Sequence, residues 1–429
     1  MRLSTQLVTS IAMLACLATA QPTPQRLTLA EAEQIAVRNN PRIGAALSTA
    51  DATAQVPAQL RSAYSPALSG NVTGAGAPSD TRIAAGGLNN PVIYSRFASG
   101  FSASQLLTDF GRTSSLARSA ELRANSEFET HKATRAEVLL AVHRAFLAGL
   151  RADAMVSMAE QAIASRRPLV DYARAMAESK LKSELDVRFA EVSLAEAQLL
   201  LENARNERSA ADAELSMVLG YASERRFELV AEPPRELPST LAERLVAKAL
   251  SSRPEVAGRR YDLEAANKLV EAERKLRWPS IAGVASFGVI PAYNERLGNN
   301  HYAAIGLNVG LPILNGGLFK ARQAEAQHRA VAARRRVDEL TQRISRDVAV
   351  ALINAQSASQ RMALTTRLVE QASLAMELAQ SRYDLGLSSI VELSQAQFAR
   401  TNAEIQKINA TFDYQLQRSL LGYHIGELQ

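Results

Sequence analysis

The chain has 429 residues, a formal net charge of +6 and 47% hydrophobic residues, but only 5% of its residues are aromatic. This length allows two or three ordinary domains, and abundant alanine with few aromatic residues favours helices. Basic residues are interspersed with acids, which is typical of solvated helix faces and not of a nucleic-acid-binding surface. The sequence has no phosphate-binding loop, paired cysteine or histidine cluster, or nucleophile elbow. We therefore expect no enzyme activity and no cofactor or metal site.

Residues 1–20 predict a secretory signal peptide. Arg2 supplies the basic start, Leu7 to Leu17 form an apolar core too short to span a bilayer, and Ala18-Thr19-Ala20 matches a cleavage site. Cleavage there removes Cys16, the only cysteine of the chain. Lipid attachment at Cys16 stays open as an alternative, because the small Ala15 precedes it. An exported chain also argues against nucleic acid as a partner.

The rest of the chain is an internal duplication. Ser65-Pro66 recurs as Trp278-Pro279 at an offset of 213, and Gly220 recurs as Gly426 at an offset of 206. A nearly constant offset with one short indel indicates a repeated unit. Three prolines keep the segment between the copies from being helical. The expected boundaries are 21–220 for the first repeat, 221–240 for the linker, which is the equatorial region, and 241–429 for the second repeat.

Each repeat predicts the same order: a helix, two strands, a long helix, a turn and a returning helix about half as long. The longest apolar seam lies between Leu318 and Leu385, where residues from Val337 to Tyr383 alternate at steps of 3 and 4. That spacing is typical of a helix packed lengthwise on others. At ~1.5 Å per residue, this helix is on the order of 100 Å long. The helices ahead of the strands are expected over 28–63 and 241–277.

Two strand segments in each repeat have about 11–13 residues, the length of membrane-crossing strands. In the last of them, apolar residues such as Ile305 and Leu307 alternate with small or polar residues such as Gly306 and Asn308. This alternation predicts one apolar and one polar face. The expected strands are 67–77, 94–106, 281–292 and 302–313, joined by polar loops over 78–91 and 293–301.

Strands in a membrane must close into a barrel, because an open edge in lipid leaves backbone groups unpaired. Four strands cannot close, since the smallest membrane barrels have about 8. Two chains supply a barrel filled by its own side chains, and three chains supply one that could hold a pore. A small soluble sheet that caps the helices stays open as the alternative.

With this order of elements, the sequence resembles the TolC-type outer-membrane efflux proteins over about residues 27–426. The similarity also rests on the strand exits Leu107–Gly111 and Leu311–Gly317. Its most specific motif is Arg382–Leu393, which is similar to the helix-hairpin end of that family. The resemblance implies a mainly α fold with a membrane β-barrel. Three chains would form a 12-stranded barrel and a long α-helical periplasmic barrel.

The resemblance implies a function as well. The homotrimer would be the outer-membrane exit duct of a tripartite efflux or type I secretion system, extending into the periplasm. Substrates would pass from an inner-membrane pump and a periplasmic adaptor, with the energy supplied by the pump. A periplasmic coiled-coil scaffold or adaptor without a pore is the alternative, although it has no use for four strands of bilayer length.

By the same resemblance, Leu385, Gly386, Leu387 and Ser388 match the turn at the hairpin end that touches the adaptor. Gly386 also has a local reason, since a tight turn between helices favours a residue that tolerates positive φ. Its counterpart in the first repeat is Lys180, so that turn lacks its glycine.

The periplasmic gate of the family would involve four further positions. Glu392 matches an acid that faces the pore in a ring, while Gln395 occupies the place of a second acid, so the ring would carry three charges. Tyr383 and Asp186 match gate-network positions, and a basic partner seen in some relatives falls on Ser388. Like charges in a narrow ring select cations. Alternatively, both acids stabilise helix starts through the macrodipole.

Two prolines depart from the repeat pattern. Pro168 lies inside the expected long helix of the first repeat, and Pro57 lies inside its first helix. Both predict a kink, because proline cannot donate a backbone hydrogen bond.

Overall fold

The computed structural model describes residues 25–76, 82–85, 88–92, 96–181, 183–238, 240–289 and 301–428. The predicted signal peptide and Cys16 lie outside the described residues, as does most of the predicted loop over 293–301. Among the helices that are described, none is long and apolar enough to cross a membrane.

The described ranges contain nine α-helices and eight strands. The helices are α1 (Leu29–Asn39), α2 (Pro41–Ala54), α3 (Val56–Arg61), α4 (Arg112–Glu178), α5 (Glu184–Val218), α6 (Ala242–Ser252), α7 (Pro254–Arg274), α8 (Leu318–Asp384) and α9 (Ile390–His424). The strands are β1 (Gln25–Leu27), β2 (Ala67–Ala75), β3 (Arg82–Ala85), β4 (Leu88–Val92), β5 (Arg96–Thr108), β6 (Phe227–Leu229), β7 (Ser280–Val289) and β8 (His301–Gly310).

The two repeats carry long helices of matching length. Helices α4 and α8 each have 67 residues, and the returning helices α5 and α9 each have 35. The predicted seam along α8 is buried or half-buried throughout, with Ile344 and Val348 only 1% and 0% exposed. The long helices and the seam are therefore confirmed. Helix α4 continues through Pro168 as one helix.

The helices ahead of the strands are broken, where the sequence analysis expected continuous ones. Helix α1 ends at Asn39 and α2 begins at Pro41, while α6 ends at Ser252 and α7 begins at Pro254. Proline suits the first turn of a helix, because the N–H that it lacks has no partner there. Pro57 likewise lies in the first turn of the separate helix α3. These prolines start helices, so the continuous helices were wrong, while the interruption expected at Pro57 is present as the break between α2 and α3.

One smaller prediction also needs correction. Part of the predicted loop over 78–91 is an antiparallel pair of strands, β3 and β4. Helix α9 ends at His424, and Gly426 follows at a φ of +77°. Gly220 has a φ of +85° just after α5, so the helix stop itself is repeated.

The chain divides into two compact units, and each contains segments of both repeats. We call them the hairpin unit and the sheet unit. The hairpin unit comprises the residues up to 41, 136–242 and 349–428; the sheet unit comprises 42–135 and 243–348.

The main sheet of the sheet unit has the order β2-β5-β7-β8, and every neighbouring pair is antiparallel. Strand β5 of the first repeat pairs directly with β7 of the second, so Phe101 lies opposite Phe287. Their rings stack with centroids 5.3 Å apart. Strands β2 and β8 form the two edges of this sheet.

The register of this sheet sorts its side chains into two faces. One face is apolar and exposed, with Ile305 91% and Leu307 70% exposed. The other carries small and polar residues, and Ser69 Oγ lies 2.7 Å from Ser102 Oγ across the β2–β5 pair. The alternation predicted for the strands is therefore confirmed. The apolar face holds Leu68, Val72, Phe101, Ala285, Phe287, Ile305, Leu307 and Val309, and the polar face holds Ser69, Asn71, Ser102, Ser104, Ser286 and Asn308.

In the hairpin unit, the linker is fastened to the helices through its backbone. Strand β6 pairs in parallel with β1, and β1 was not predicted. Arg208 Nη2 donates to the carbonyl of Phe227 at 2.8 Å, and Tyr414 Oη donates to the carbonyl of Arg235 at 2.8 Å. These bonds satisfy carbonyls of a segment that prolines keep from forming a helix.

Candidate functional site at the helix-hairpin ends

The two helix hairpins end in the same backbone turn. The N–H of Leu387 donates to the carbonyl of Arg382 at 2.8 Å, and the N–H of Leu181 donates to the carbonyl of Met176 at 2.9 Å. This bond spans five residues back and closes the helix in a Schellman turn. The α4–α5 and α8–α9 connections are therefore structural copies of one another.

The residue that reverses the chain in this turn differs between the copies. Gly386 has a φ of +71°, and Lys180 takes the same left-handed conformation with a φ of +58°. A side chain in that conformation is strained by roughly 1–2 kcal/mol, whereas glycine is not. The first repeat thus keeps the turn geometry although it lacks the glycine.

Serine residues begin both returning helices. Ser183 Oγ accepts from the N–H of Leu185 at 3.2 Å, and Ser389 Oγ accepts from the N–H of Glu392 at 3.4 Å. A hydroxyl at this position satisfies one of the free N–H groups at a helix start. The repeated serines therefore fix where each returning helix starts.

The two predicted gate acids have different partners in spite of their equivalent positions. The carboxylate of Asp186 accepts from the backbone N–H of Ser183 at 3.2 Å, which completes a capping box. The carboxylate of Glu392 instead lies 3.1 Å from Nε of Arg382, across the turn between α8 and α9. Asp186 thus has a capping role at a helix start, and Glu392 has a cationic neighbour.

Tyr383 is buried where all four long helices meet. Its side chain is 1% exposed, and Tyr172 on α4 approaches it edge-on with ring centroids 6.5 Å apart. Burial, followed by the negative charge of Asp186, raises the pKa of Tyr383. The carboxylate of Asp186 is therefore close enough to Tyr383 to act on its hydroxyl electrostatically. The surrounding cluster is Leu169, Val170, Ala173, Val187, Ala190, Ala379, Ile390 and Leu393.

The turn residues themselves are largely in solvent. Leu385 is 73% exposed, Leu387 is 68% exposed and Leu181 of the first repeat is 71% exposed. Ser388 is half-buried, and Gln395 is exposed one turn beyond the start of α9. Large apolar side chains at such exposure mark a surface that can be covered by a partner.

Three residues of this site were not identified from the sequence: Arg382, Tyr172 and Leu181. Leu181 could have been found, because it precedes Leu387 by the repeat offset of 206. Arg382 stands inside the recognised motif, but its pairing with Glu392 depends on the three-dimensional course of the turn. Tyr172 gave no sequence signal that distinguishes it from any other core aromatic residue.

The chain is similar in sequence to known outer-membrane proteins. The family model described as outer membrane efflux protein matches residues 33–221 and 245–423. The outer membrane efflux protein BepC of Brucella suis is 23% identical over 315 residues, which are 73% of this chain and 68% of BepC. The outer membrane protein OprJ of Pseudomonas aeruginosa is 25% identical over 360 residues, 82% of this chain and 74% of OprJ.

A solved structure has the same fold at low sequence identity. The crystal structure of the CmeC outer membrane channel of Campylobacter jejuni superposes with a TM-score of 0.79 at 17% identity, covering 93% of this chain and 85% of CmeC. A high TM-score together with a low sequence identity means that the two proteins share a fold although most of their side chains differ.

Proposed function

The chain belongs to the outer membrane efflux protein family, and we propose that it works as a homotrimer that receives substrates from a periplasmic adaptor and an inner-membrane pump. Family membership makes it an outer-membrane exit duct for efflux. The proposal adds the number of subunits, the partners and the parts of the chain that meet them. The duct would be passive, with the energy supplied by the pump.

The open four-stranded sheet is the main observation that supports a trimer. Among the described strands, β2 and β8 at its edges have no further neighbour in the sheet, and its apolar face is exposed along its length. An unpaired strand edge is not stable in lipid, so the edges of separate chains must pair. Three copies supply 12 strands, with the apolar face toward lipid and the polar face toward the duct.

Exposed apolar stripes on the long helices support the same assembly. Leu185, Phe189, Val192 and Leu199 follow one face of α5, and their exposure ranges from 37% to 64%. Apolar residues at this spacing form a stripe that another helix covers. The partner that fits is a second copy of the chain, because the sheet edges already require one. A matching stripe on α8 consists of Leu364, Leu368 and Leu378.

We propose that the hairpin ends form the gate, with Glu392, Tyr383, Asp186 and Gln395 near the pore axis of the trimer. Tyr383 and the surrounding apolar cluster support it, since they pack both hairpins together at their ends. Arg382 lies beside Glu392, so each subunit offsets its own acid. The ring would therefore have little net charge at rest, instead of the three negative charges expected from the sequence.

The adaptor would dock on the turn residues Leu385, Gly386, Leu387 and Ser388, with Leu181 as the equivalent contact on the first hairpin. Exposure of these leucines supports this role. Replacing Leu387 or Leu181 by Asp should abolish efflux in cells while trimer and pore conductance persist. Leu47→Asp is a matched control, because Leu47 is an exposed leucine of α2, outside both turns and both stripes. Equal losses in all three variants would argue against a specific contact at the turns.

The oligomeric mass tests the assembly directly. The protein is extracted in detergent from outer-membrane fractions and measured by native mass spectrometry, followed by conductance in planar bilayers. We expect a trimer that forms pores. A soluble monomer or dimer in the periplasmic fraction would contradict the duct and would favour a coiled-coil scaffold. The protomer mass also distinguishes cleavage after Ala20 from a lipid on Cys16.

A further inference from the structure

The helix-side end of the main sheet carries apolar residues beyond the last strand pairs. The register places Thr108 next to Ile281 and Ser280 next to Gly310, so the helix-side ends of β5, β7 and β8 lie together. The apolar residues that follow or precede these ends are exposed, with Ile313 at 88% and Leu314 at 92%. We call them the junction patch, which consists of Leu107, Phe110, Trp278, Leu311, Ile313 and Leu314.

The junction patch lies at the helix-side end of the sheet, and most of its backbone is irregular. Residues 311–315 have no regular secondary structure. Irregular backbone facing lipid does not occur inside the hydrocarbon region, because its polar groups would be unsatisfied there. The patch therefore belongs at the level where acyl chains meet headgroups. Trp278 and Phe110 lie with ring centroids 5.4 Å apart, and tryptophan is enriched at that level.

Basic residues adjoin the patch on its helical side. The segments 107–118, 274–280 and 311–323 contain seven basic residues and one acid, Asp109. Both carboxylate oxygens of Asp109 already accept hydrogen bonds, from Gly111 and Thr113. Five of the seven are exposed, but Arg118 pairs with Glu121 and Arg322 pairs with Glu273. The other three, Arg274, Arg277 and Lys320, form what we call the basic collar.

Two collar residues, Arg277 and Lys320, lie near the start of α8. Arg277 Nη2 is 3.5 Å from Oε1 of Gln323, and Gln323 is one helical turn after Lys320 on α8. The cations thus come from the end of one helix and the start of another. Lysine and arginine near a bilayer surface attract anionic lipids.

We propose that the junction patch and the basic collar together bind anionic phospholipid of the periplasmic leaflet, with acyl chains against the patch and phosphate groups on the collar. The inference rests on the proposed placement of the sheet in the membrane. Binding here would set the depth at which the duct sits. The collar adds a lipid preference that an aromatic anchor alone does not give.

Trp278 makes the depth measurable, because the chain contains a single tryptophan. The full-length protein is reconstituted into phosphatidylcholine vesicles that carry a nitroxide on carbon 5 or carbon 12 of the acyl chain. We expect the shallow label to quench Trp278 fluorescence more strongly than the deep label. No quenching by either label would mean that water or a second copy of the chain covers the patch. Stronger quenching by the deep label would also overturn the proposal.

The lipid preference is tested with brominated lipids, which quench on contact. Equal fractions of brominated phosphatidylglycerol and brominated phosphatidylcholine give a relative association constant at Trp278. We expect a preference for phosphatidylglycerol of about threefold to fivefold, which falls toward one in the double variant Arg277→Gln/Lys320→Gln, because only Arg274 of the collar remains. The control Arg334→Gln/Arg336→Gln removes two exposed cations further along α8 and should keep the preference. Equal association in the unmodified protein would overturn the role of the collar.

Two further measurements distinguish failure of this inference from failure of the proposed duct. Flotation of the protein with the vesicles shows that it has inserted into the membrane. Single-channel conductance shows that it forms a duct. Normal flotation and conductance with equal lipid association would exclude the anionic-lipid site and leave the duct standing. Absence of flotation would remove the membrane placement on which both depend.

Discussion

Glu392 and Arg382 face each other across the turn between α8 and α9, with Oε1 and Nε 3.1 Å apart. Both side chains remain about half exposed, so the pair adds little to folding stability, since exposed ion pairs contribute about 0–1 kcal/mol. Its consequence is electrostatic. In a trimer, three acids that would repel one another at the gate each have a cation within contact distance.

Replacing Arg382 by Gln should therefore make the pore more selective for cations. The change leaves three uncompensated carboxylates at the proposed ring, and an acidic ring attracts cations. We expect the cation-to-anion permeability ratio to rise about severalfold in reversal-potential measurements on planar bilayers, and to return near the original value in Arg382→Gln/Glu392→Gln. The matched control is Arg400→Gln, which breaks the Arg400–Glu404 pair on α9. An unchanged ratio in Arg382→Gln would place Glu392 away from the ion path.

Lys180→Gly should stabilise the first hairpin. Lys180 has a φ of +58° where the second repeat has Gly386. Relief of the left-handed strain is worth roughly 1–2 kcal/mol, and the greater freedom of glycine in the unfolded chain opposes it by about 0.4–1 kcal/mol. The net gain is about 0.5–1 kcal/mol, visible as a higher midpoint of denaturant unfolding in detergent. Gly386→Ala is the reverse control and should lower the midpoint. A lower midpoint for Lys180→Gly would show that its side chain stabilises the turn.

Regular periodicity made much of this fold predictable. The seam of α8 and the alternation in β8 follow from repeated spacing, which one sequence displays directly. The breaks at Pro41 and Pro254 were missed, because proline is tolerated in a first helical turn and a continuous apolar pattern hides the boundary. The strands β1, β3 and β4 were missed because strands this short contain too few residues to display an alternation of apolar and polar side chains.

The candidate site was only partly predictable, for a different reason. Gly386, Ser389 and Tyr383 act through their own turn, cap or burial, and such local roles leave a local signal. The partners of Asp186 and Glu392 depend on side-chain direction at the hairpin ends. Two equivalent acids consequently received the same interpretation, although one caps a helix and the other pairs with Arg382.

His143 should be essential to the packing of the hairpin unit. The ring is 4% exposed, with Nε2 2.6 Å from Oε1 of Glu33 on α1 and Nδ1 3.0 Å from Oγ of Ser419 on α9. Removing it leaves the half-buried Glu33 and Ser419 without this partner, which destabilises by about 1 kcal/mol. His143→Leu should lower the unfolding midpoint. Replacing both His143 and Glu33 by Leu should restore part of the loss. An additive double variant would show that the two side chains do not interact.

Asp109 should make stability depend on pH, because its carboxylate caps the start of α4. Oδ2 accepts from the N–H of Thr113 at 2.7 Å, and Oδ1 accepts from the N–H of Gly111 at 3.1 Å and the hydroxyl of Tyr64 at 3.2 Å. Burial acts to raise the pKa of Asp109, but hydrogen bonds from Thr113, Tyr64 and Gly111 outweigh it and hold the pKa below its ordinary value.

A lowered pKa in the folded state means that the unfolded chain binds the proton more tightly. The stabilisation is then complete above the unfolded pKa of about 3.9 and disappears as the pH falls through the folded value.

At pH 7, Asp109→Asn should be less stable by about 1–2 kcal/mol, and the difference should shrink steadily below about pH 4. Denaturant unfolding in detergent at pH 7, 5, 4 and 3 measures it, with Asp51→Asn on the exposed surface of α2 as the control. The second repeat has Asn315 at the equivalent position, so the variant residue is compatible with the turn. A stability difference that stays constant from pH 7 to pH 3 would mean that the cap does not depend on the charge of Asp109. No difference at pH 7 would mean that a neutral amide supplies the cap equally well.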